Sequence, residues 1–241
     1  MEKQPDQPTK AQPRRGTRDR TRMEKRARIR EAAREVFRLR GYSGATTREI
    51  CEKADVSNGT LFRHAADKRE LLLLIINDDL DGFHLKIREG LNALPKRSSL
   101  VDKVVAFYAP RYRYFSGAPE ISRPFVKEAF NFMGINPGDA GPESKHQRNR
   151  RAQIVEALSD LLQEEYKSRS CDLNPGLAAD LIHSIYLSAS REWLESEIIN
   201  ETEGVERLRK LLELAADGFA PPTSRETPGH DQVRLRKASR H

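Results

Sequence analysis

The stretch from residue 46 to residue 68 constrains the fold of this chain most, because it predicts two short helices joined by a tight turn. Thr46 or Thr47 is suited to cap a first helix over about 47–54, since a hydroxyl oxygen can accept a hydrogen bond from the first helical turn. Asp55 stands at the reversal, where the left-handed backbone conformation is less costly for Asp than for most residues. The pattern predicts a helix-turn-helix.

The second helix of this pair has a small, polar first turn. Ser57 is suited to cap it, and Asn58, Gly59 and Thr60 follow as its first exposed residues. Side chains of this size at a helix N-terminus can approach base edges closely, which a recognition helix in a DNA major groove requires. The second helix is therefore predicted to face DNA.

A scaffold helix is predicted in front of the pair, from about residue 21 to residue 40. Its apolar residues recur at the spacing of one buried helical face. The residues of that face are Ile29, Ala32, Ala33, Val36 and Phe37. Gly41 ends the helix at the C′ position, which favours glycine. The apolar face must be buried against the two helices that follow, so the three helices form one small domain.

Helical patterns continue to about residue 218. Asp67 is suited to cap a long helix that runs to about residue 91, and Glu70 completes an arrangement like a capping box. Further helices are predicted at about 98–115, 120–132, 142–169, 175–200 and 202–218. Gly204 is among the predicted breaks, and no alternating strand pattern stands out. The predicted fold class is all-α, with a helix-turn-helix domain over 21–68 and a helical body over 69–220.

The net charge of +7 is distributed unevenly along the 241 residues. Residues 1–70 carry 19 Lys and Arg against 11 Asp and Glu, whereas residues 71–220 carry 19 against 23 and residues 221–241 carry 5 against 2. A basic N-terminal part beside a mildly acidic body is typical of a protein that meets a polyanion at one end. Charge alone fits a solvated basic face equally well, and the helix-turn-helix favours DNA.

Both ends of the chain are predicted to be disordered. Residues 1–20 are polar, basic and contain three prolines, and residues 221–241 form a basic tail of similar character. The arginines of the N-terminal arm either become ordered on DNA, along phosphates or in a minor groove, or belong to an inert solubilising tail. Both interpretations remain open from the sequence.

Composition disfavours membrane and secreted classes of protein. The longest apolar run, Leu71–Ile76, is far shorter than the roughly 20 residues of a membrane span. The N-terminus lacks an apolar core followed by a cleavage site. Cys51 and Cys171 provide neither a disulfide framework nor metal-ligand spacing. A cytoplasmic protein without membrane contact is expected.

No catalytic constellation stands out in the sequence. The six histidines are dispersed, and no glycine-rich phosphate-binding loop, nucleophile elbow or zinc-protease motif occurs. Asp78 and Asp79, an adjacent acidic pair, are predicted to lie on a solvated helix face. The chain is therefore predicted not to be an enzyme, and to use no cofactor and no metal.

Residues 24–72 resemble the tetracycline-repressor (TetR) family at many positions in one register. The matching positions are Ile29, Ala32, Ala33, Phe37, Gly41, Tyr42, Thr46, Thr47, Ile50, Ala54, Val56, Ser57, Gly59, Thr60, Leu61, Phe62, Lys68 and Leu71. The resemblance implies a homodimeric transcription regulator, usually a repressor, that binds a palindromic operator in double-stranded DNA. It also implies that the helical body is a ligand-binding and dimerisation domain.

The resemblance further implies which residues contact DNA. They are Thr46, Thr47, Arg48, Ser57, Asn58, Gly59, Thr60, Phe62, Arg63, His64 and Lys68. In the family pattern the two threonines meet phosphates, Arg48 meets a base edge or a phosphate, and the first turn of the second helix faces the major groove together with Arg63. Phe62, His64 and Lys68 match positions that press on or bond to the phosphate backbone.

Three residues depart from the family pattern. Phe62 stands where Tyr is commoner, so a hydroxyl that would bond to a phosphate is missing. Ala65 replaces the usual Phe, and Asp55 replaces a common Gly. These departures concern individual contacts and local packing rather than the module.

A small-molecule effector is a second partner that the family implies. Of the 16 Phe, Trp and Tyr residues, 8 fall between residues 107 and 132. They form either the plain core of the body or the lining of an apolar effector pocket. The candidates for the pocket are Phe107, Tyr108, Tyr112, Phe115, Phe125, Phe130, His183 and Tyr186.

The last two predicted helices either complete the core of one subunit or form a two-fold four-helix interface. Their large apolar residues are Leu177, Leu181, Ile185, Trp193, Leu194, Leu208, Leu211, Leu212 and Phe219, and their small ones include Ser184, Ser188, Ala189 and Ser190. The family and a symmetric operator favour a homodimer. The alternative function is that of a low-specificity DNA-binding, chromosome-organising protein without a small-molecule effector.

Overall fold

Ten α-helices make up the described part of the chain. The computed structural model describes residues 15–132, 141–167 and 174–217. The helices are α1 (Arg15–Gly44), α2 (Thr47–Ala54), α3 (Asn58–His64), α4 (Lys68–Leu80), α5 (Phe83–Asn92), α6 (Leu100–Gly117), α7 (Pro119–Phe132), α8 (Pro142–Lys167), α9 (Pro175–Glu195) and α10 (Glu201–Asp217). The predicted all-α fold class is confirmed.

The first helix begins earlier than its apolar pattern predicts. It starts at Arg15, so residues 15–20, which the sequence assigned to the disordered arm, are helical. Polar residues carry no apolar period, and the pattern could therefore not locate this start. Gly41 interrupts the helix with φ 68° and ψ 162°, a positive φ that favours glycine, but this ψ is not that of the left-handed C′ conformation that the sequence predicts. Residues 1–14 and the tail from 221 to 241 lie outside the described residues.

The caps of the helix-turn-helix are those that the sequence predicts. Thr46 caps α2 in a capping box with Glu49, whose backbone N–H donates to the Thr46 hydroxyl at 3.2 Å. Asp55 has φ 51° and ends α2 in the left-handed conformation. Ser57 caps α3 by accepting from the Thr60 backbone N–H at 3.3 Å. These local bonds determine where each short helix begins and ends.

Two predicted helix boundaries are wrong. The long helix expected after Asp67 is two helices, because Gly82 adopts φ 83° between α4 and α5. The apolar period continues on both sides of this turn, which hides the break. Gly204, predicted as a break, lies inside α10, where an added Cβ would overlap the rings of Tyr112 and Trp193. Glycine there permits close packing of α10 on α6 and α9.

Helix α4 is the buried centre of the molecule. The run Leu71–Ile76 has no exposed side chain, because α4 lies between α1, α7 and α8. A helix that is apolar all round is buried on all sides rather than half-solvated. The six-residue apolar run therefore marks a core helix.

A buried carboxylate joins α4 to the start of α8. Glu70 is fully buried and accepts hydrogen bonds from the Glu143 backbone N–H at 2.9 Å, the Ser144 backbone N–H at 3.0 Å and the Ser144 hydroxyl. Asp67 caps α4 as predicted, at 2.7 Å from the Glu70 backbone nitrogen. The Glu70 side chain does not complete a capping box, because it caps α8 instead. A side chain at Gly141 would overlap this carboxylate.

The acidic pair on α4 is not solvated, which corrects the sequence prediction. Asp78 pairs with Arg26 of α1 at 2.6 Å. Asp79 accepts both hydrogen bonds from Arg34 of α1, at 2.6 and 2.7 Å, and a third from the Tyr114 hydroxyl at 2.5 Å. Both carboxylates lie in partly buried ion pairs that attach α1 to the body.

We expect Glu70→Ala to destabilise the fold. The substitution leaves two backbone N–H groups and a hydroxyl buried without an acceptor, at a cost of about 3 kcal/mol or more. For a chain of this size that corresponds to a fall in Tm of roughly 6–12 °C. Thermal unfolding followed by circular dichroism measures it. Glu89→Ala, which removes an exposed glutamate on α5, is the control; equal shifts for both variants would contradict the role of Glu70.

Candidate nucleic-acid interface

None of the eleven predicted DNA contacts is buried. Seven of these residues are exposed, and Thr47, Thr60, His64 and Lys68 are half-buried. They lie on α2, on α3, in the caps of these helices and at the first position of α4. The structure thus brings the predicted residues to one small domain and leaves each of them accessible.

The first turn of α3 is open to solvent and internally ordered. The Ser57 and Thr60 hydroxyls lie 3.0 Å apart, and Arg63 donates to the Thr60 hydroxyl at 3.1 Å and to the Gly59 carbonyl at 3.2 Å. A Cβ added at Gly59 would meet nothing within 4 Å. Internal packing therefore does not require glycine at this position, whereas close approach of a base edge would.

Two further predicted DNA contacts, Arg48 and Phe62, are exposed. Arg48 is 86% exposed and pairs with Glu52 one turn later at 3.0 Å. An exposed pair of this kind contributes little and can exchange for a phosphate. Phe62 exposes 48% of its surface, so a large apolar ring lies at the surface of the recognition helix.

The other two departures from the family pattern have structural roles. Ala65 is buried and forms the C-cap of α3, where its backbone N–H donates to the Leu61 carbonyl at 2.9 Å. Asp55 lies 3.6 Å from Arg28 of α1, so its charge is shared with a cation of the scaffold helix. The negative charge near the turn is therefore partly compensated.

Lys68 has a role within the fold that its sequence position did not predict. Its ammonium donates to the carbonyls of Ser43 and Ala45 at 3.0 and 3.2 Å, and it lies 5.0 Å from the centre of the Tyr42 ring. These bonds hold the segment that leads into α2. The predicted phosphate contact of Lys68 remains a prediction, and loss of this side chain would also loosen the helix-turn-helix.

A basic pocket of 450 Å³ lies between α1 and α3, and sequence reasoning missed two of its six lining residues. The lining residues are Thr21, Arg22, Lys25, Thr60, Arg63 and His64. Arg22 belonged to the predicted arm, and Thr21 and Lys25 had no assigned role. A signal was available, because residues 21, 22 and 25 share one face of a helix that starts at Arg15.

Burial and neighbouring cations both lower the pKa of His64 in this pocket. Partial burial lowers the pKa of His64 most, and the charges of Arg22, Arg26, Arg63 and Lys25 lower it further. The imidazole is therefore neutral near pH 7 while its surroundings are strongly positive. Such a pocket suits a phosphate oxygen, which would accept hydrogen bonds and favour the protonated ring.

Most of the predicted effector residues form the core of the body. Tyr108 stacks on Tyr186 with ring centres 3.9 Å apart, and its hydroxyl lies 3.0 Å from Nδ1 of His183. Burial lowers the pKa of His183 to about 4, so this ring is neutral. The buried members of the set are Phe107, Tyr108, Tyr112, Phe115, Phe125, His183 and Tyr186. The side chain of Phe130 lies outside the described residues.

The body also contains a pocket of 580 Å³ between α5, α6 and α8. Of the predicted effector residues, Phe107 alone lines it. Its other apolar lining residues are Leu80, Phe83, Ile87, Leu91, Ile154, Ala157 and Leu161. The structure therefore places the accessible cavity beside the aromatic core rather than within it.

The last two helices contain both core and surface apolar residues. Trp193, Leu194, Leu208 and Leu212 are buried, whereas Leu177 and Leu181 expose 70% and 59% of their surfaces. Ser184 and Ser188 continue the same exposed face of α9. Phe219 lies outside the described residues. The core interpretation thus applies to the buried face of these helices, and the dimer interface remains a prediction for the exposed face.

An all-helical chain with this helix-turn-helix has the architecture of a helical DNA-binding regulator. The sequence model described as "Bacterial regulatory proteins, tetR family" matches residues 29–75. The N-terminal domain of the chain is therefore similar to that of the tetR family. Among the helices of the described ranges, none is both long and apolar enough to cross a membrane.

Curated relatives align with the N-terminal third of the chain. The Escherichia coli (strain K12) HTH-type transcriptional regulator UidR is 32% identical over 81 residues, which are 34% of this chain and 41% of UidR. The Mycolicibacterium smegmatis HTH-type transcriptional activator FasR is 35% identical over 86 residues, 35% of this chain and 39% of FasR. The chain thus aligns with about two fifths of the length of these relatives.

Solved structures extend the likeness to the whole fold. The Thermus thermophilus FadR, a TetR-family transcriptional repressor in complex with lauroyl-CoA, has a TM-score of 0.62 and 21% identity, and the match covers 85% of this chain and 100% of FadR. The Bacillus subtilis regulator FadR in complex with stearoyl-CoA has a TM-score of 0.58 and 16% identity, with 80% and 99% covered. At these identities the likeness concerns the fold.

We expect Gly59→Ala to separate DNA binding from stability. A methyl group on the first turn of α3 would stand between the helix and the base edges, and the affinity for a cognate operator should fall at least about tenfold. The Tm should stay constant or rise, because Ala is more favourable than Gly in a helix by about 1 kcal/mol. Fluorescence anisotropy and thermal unfolding measure the two effects.

The control for Gly59→Ala is Gly117→Ala, since a Cβ there also meets nothing within 4 Å and the residue ends α6, in the body. Loss of affinity in both variants, or in neither, would contradict close approach of DNA at Gly59.

We expect operator affinity to rise as pH falls, because of His64. Its pKa is lowered in the free protein, and a bound phosphate would raise it, so the complex takes up a proton. Affinity should increase as pH falls through the pKa of the complex, by up to about tenfold per pH unit for one proton, and level off below the pKa of the free protein. Anisotropy titrations between about pH 7.5 and 5.5 span the ordinary histidine range. His64→Gln should flatten this dependence; an unchanged slope would rule out His64.

Proposed function

We propose that this chain is a homodimeric transcription regulator, most simply a repressor, that binds a palindromic operator and is released by a small-molecule effector. The observation that carries the proposal is the open first turn of α3, which adjoins the basic pocket shared with α1, together with the exposed Arg48 on α2. A polar, sterically open helix N-terminus between cationic groups suits a major groove bordered by phosphates.

The exposed face of α9 supports the dimer. Leu177 and Leu181 are followed by Ser184 and Ser188, so large and small residues recur at alternating steps of four and three. This spacing places them on one side of the helix, where a second copy can pack closely. Leu214 of α10 is also exposed. Large apolar side chains grouped on one exposed face favour burial in a partner.

The ion pairs of α1 support coupling between an effector and DNA. Arg26 bridges Asp78 of α4 and Glu143 of α8, at 2.6 and 2.5 Å, so the scaffold helix of the DNA-binding domain contacts two helices of the body. A shift of α4 or α8 would move α1. The two half-sites of an operator lie about 34–36 Å apart. A small rotation of the DNA-binding domains would therefore take their recognition helices away from this spacing and lower the affinity for the operator. An effector causes this rotation only if it binds the DNA-binding conformation and the rotated conformation with different affinities.

The alternative, a low-specificity chromosome-organising protein, has support in the same basic surface. Its binding would depend strongly on salt and little on sequence. The open turn of α3 is the feature that favours the regulator, because non-specific binding to phosphates does not need access to base edges.

Selection of bound DNA from a random pool tests the proposed function. We expect an inverted repeat with half-sites about one helical turn apart. Leu181→Glu should place a charge in the dimer face and lose binding to the complete repeat, with a mass near the monomer value of 27.5 kDa by light scattering. Leu85→Glu, at an exposed leucine of α5, should remain dimeric.

Recovery of DNA without a shared sequence would favour the chromosome-organising protein. A wild-type chain that stays monomeric at all concentrations would contradict the dimer.

A further inference from the structure

Arg111 on α6 is a buried cation without an anionic partner. It exposes 6% of its surface, and its only described hydrogen bond is a long one, 3.4 Å to the Phe107 carbonyl. Its guanidinium lies 5.5 Å from the ring centres of Phe107 and Tyr108. Among the described residues, no carboxylate pairs with it.

Burial of an unpaired guanidinium is unfavourable. Removing such an ion from water costs several kcal/mol unless an opposite charge and hydrogen bonds compensate. Burial lowers the pKa of Arg111, and the nearby charge of Arg150 lowers it further. Arg26 and Arg34 of α1, which are less buried, each have at least one close carboxylate. Arg111 thus differs from the structural arginines of this fold.

Arg111 lines the 580 Å³ pocket between α5, α6 and α8. That volume lies in the range of small-molecule sites, about 300–1,000 Å³. Arg150 also lines the pocket, but it donates to the Asn77 carbonyl and the Asp81 carboxylate, both at 2.7 Å. Its charge is compensated within the protein. Arg88 lines the pocket as well, but it is exposed to solvent, so Arg111 is the buried cation in this lining that a ligand would satisfy.

We propose that this pocket binds an amphipathic carboxylate, with its carboxylate paired to Arg111 and its apolar chain packed along α5 and α8. The apolar walls are Phe83 and Ile87 of α5, and Ile154, Ala157 and Leu161 of α8. A carboxylate accepts two parallel hydrogen bonds from a guanidinium, which suits a planar head group at Arg111. The role of this ligand as an effector rests on the proposed function; the site itself does not.

The pocket reaches the helices that hold the DNA-binding domain. Leu80, Asp81 and Gly82 at the end of α4 form part of its wall. Arg150 of α8 donates to Asn77 and Asp81 beside it. The apolar chain of a ligand between α5 and α8 would contact this junction of α4 and α8. The junction lies one helical turn from Asp78, which pairs with Arg26 of α1.

Calorimetric titration of the full chain with decanoate and with decanol tests the assignment. The two probes share an apolar chain and differ in the head group. We expect decanoate to bind at least about tenfold more tightly, the effect of one charge-assisted hydrogen bond. Equal affinity for the two probes, or no binding of decanoate, would overturn the proposal. Binding of the coenzyme A thioester of decanoate without binding of the free acid would also overturn it.

Arg111→Met separates a ligand-binding role from a structural one. It should abolish the preference for decanoate and leave the ligand-free Tm unchanged or higher, because an unpaired buried charge is removed. Arg113→Met is the control, since Arg113 lies on the same helix, is exposed and pairs with Glu201; it should keep the preference. A preference that survives Arg111→Met would overturn the assignment.

Ala157→Leu provides an independent test that leaves Arg111 in place. The larger side chain occupies pocket volume and should weaken decanoate binding at least about tenfold; unchanged affinity would overturn the site. Release of selected operator DNA by decanoate is measured separately. Binding without release would leave the site standing and refute its effector role, whereas loss of sequence-specific DNA binding would refute the proposed function alone.

Discussion

Compensation of the buried charges around α4 is the interaction on which the rest of this structure depends. Glu70 is fully buried, and it is stable there because the first residues of α8 supply its hydrogen-bond donors. Asp78 and Asp79, farther along the helix, require arginines of α1. An apolar helix surface tolerates many orientations of its neighbours, whereas these polar contacts are satisfied in one. The position of α1 relative to the body follows from this requirement.

Helix α1 thereby links the two ends of the molecule. Near its start, Arg22 and Lys25 line the basic pocket beside the recognition helix. One turn later, Arg26 meets α4 and α8. At the end of α4, Arg150 of α8 donates to Asn77 and Asp81 and also lines the 580 Å³ pocket. Neighbouring polar contacts thus connect a cavity in the body to the surface that is proposed to face DNA, and packed networks of this kind can carry coupling between two sites.

Prediction from the sequence succeeded where the cause is local. Thr46, Asp55 and Ser57 determine the bounds of α2 and α3 through hydrogen bonds and backbone conformation within a few residues. The accessibility of the predicted DNA contacts follows from the same short segment. Prediction failed at Gly82, because the turn there does not interrupt the apolar period. It also failed at Glu70, whose carboxylate was expected to cap its own helix and instead accepts a hydrogen bond from the start of α8, 73 residues away.

The sequence by itself determined the all-helical class, the helix-turn-helix and its exposed polar turn, because periodicity and caps act over one or two helical turns. Only the tertiary structure decided which charged residues are buried and which oppositely charged residues they pair with. Arg26 and Glu143 are 117 residues apart, and nothing in either local sequence indicates their contact. Arg111 and Arg113 lie two residues apart on α6, and only packing shows that Arg111 is buried without a carboxylate partner among the described residues whereas Arg113 is exposed and pairs with Glu201. Burial and long-range pairing depend on the assembled fold. The same is true of the difference between Arg26, which pairs with two carboxylates, and Arg111, for which we propose a ligand.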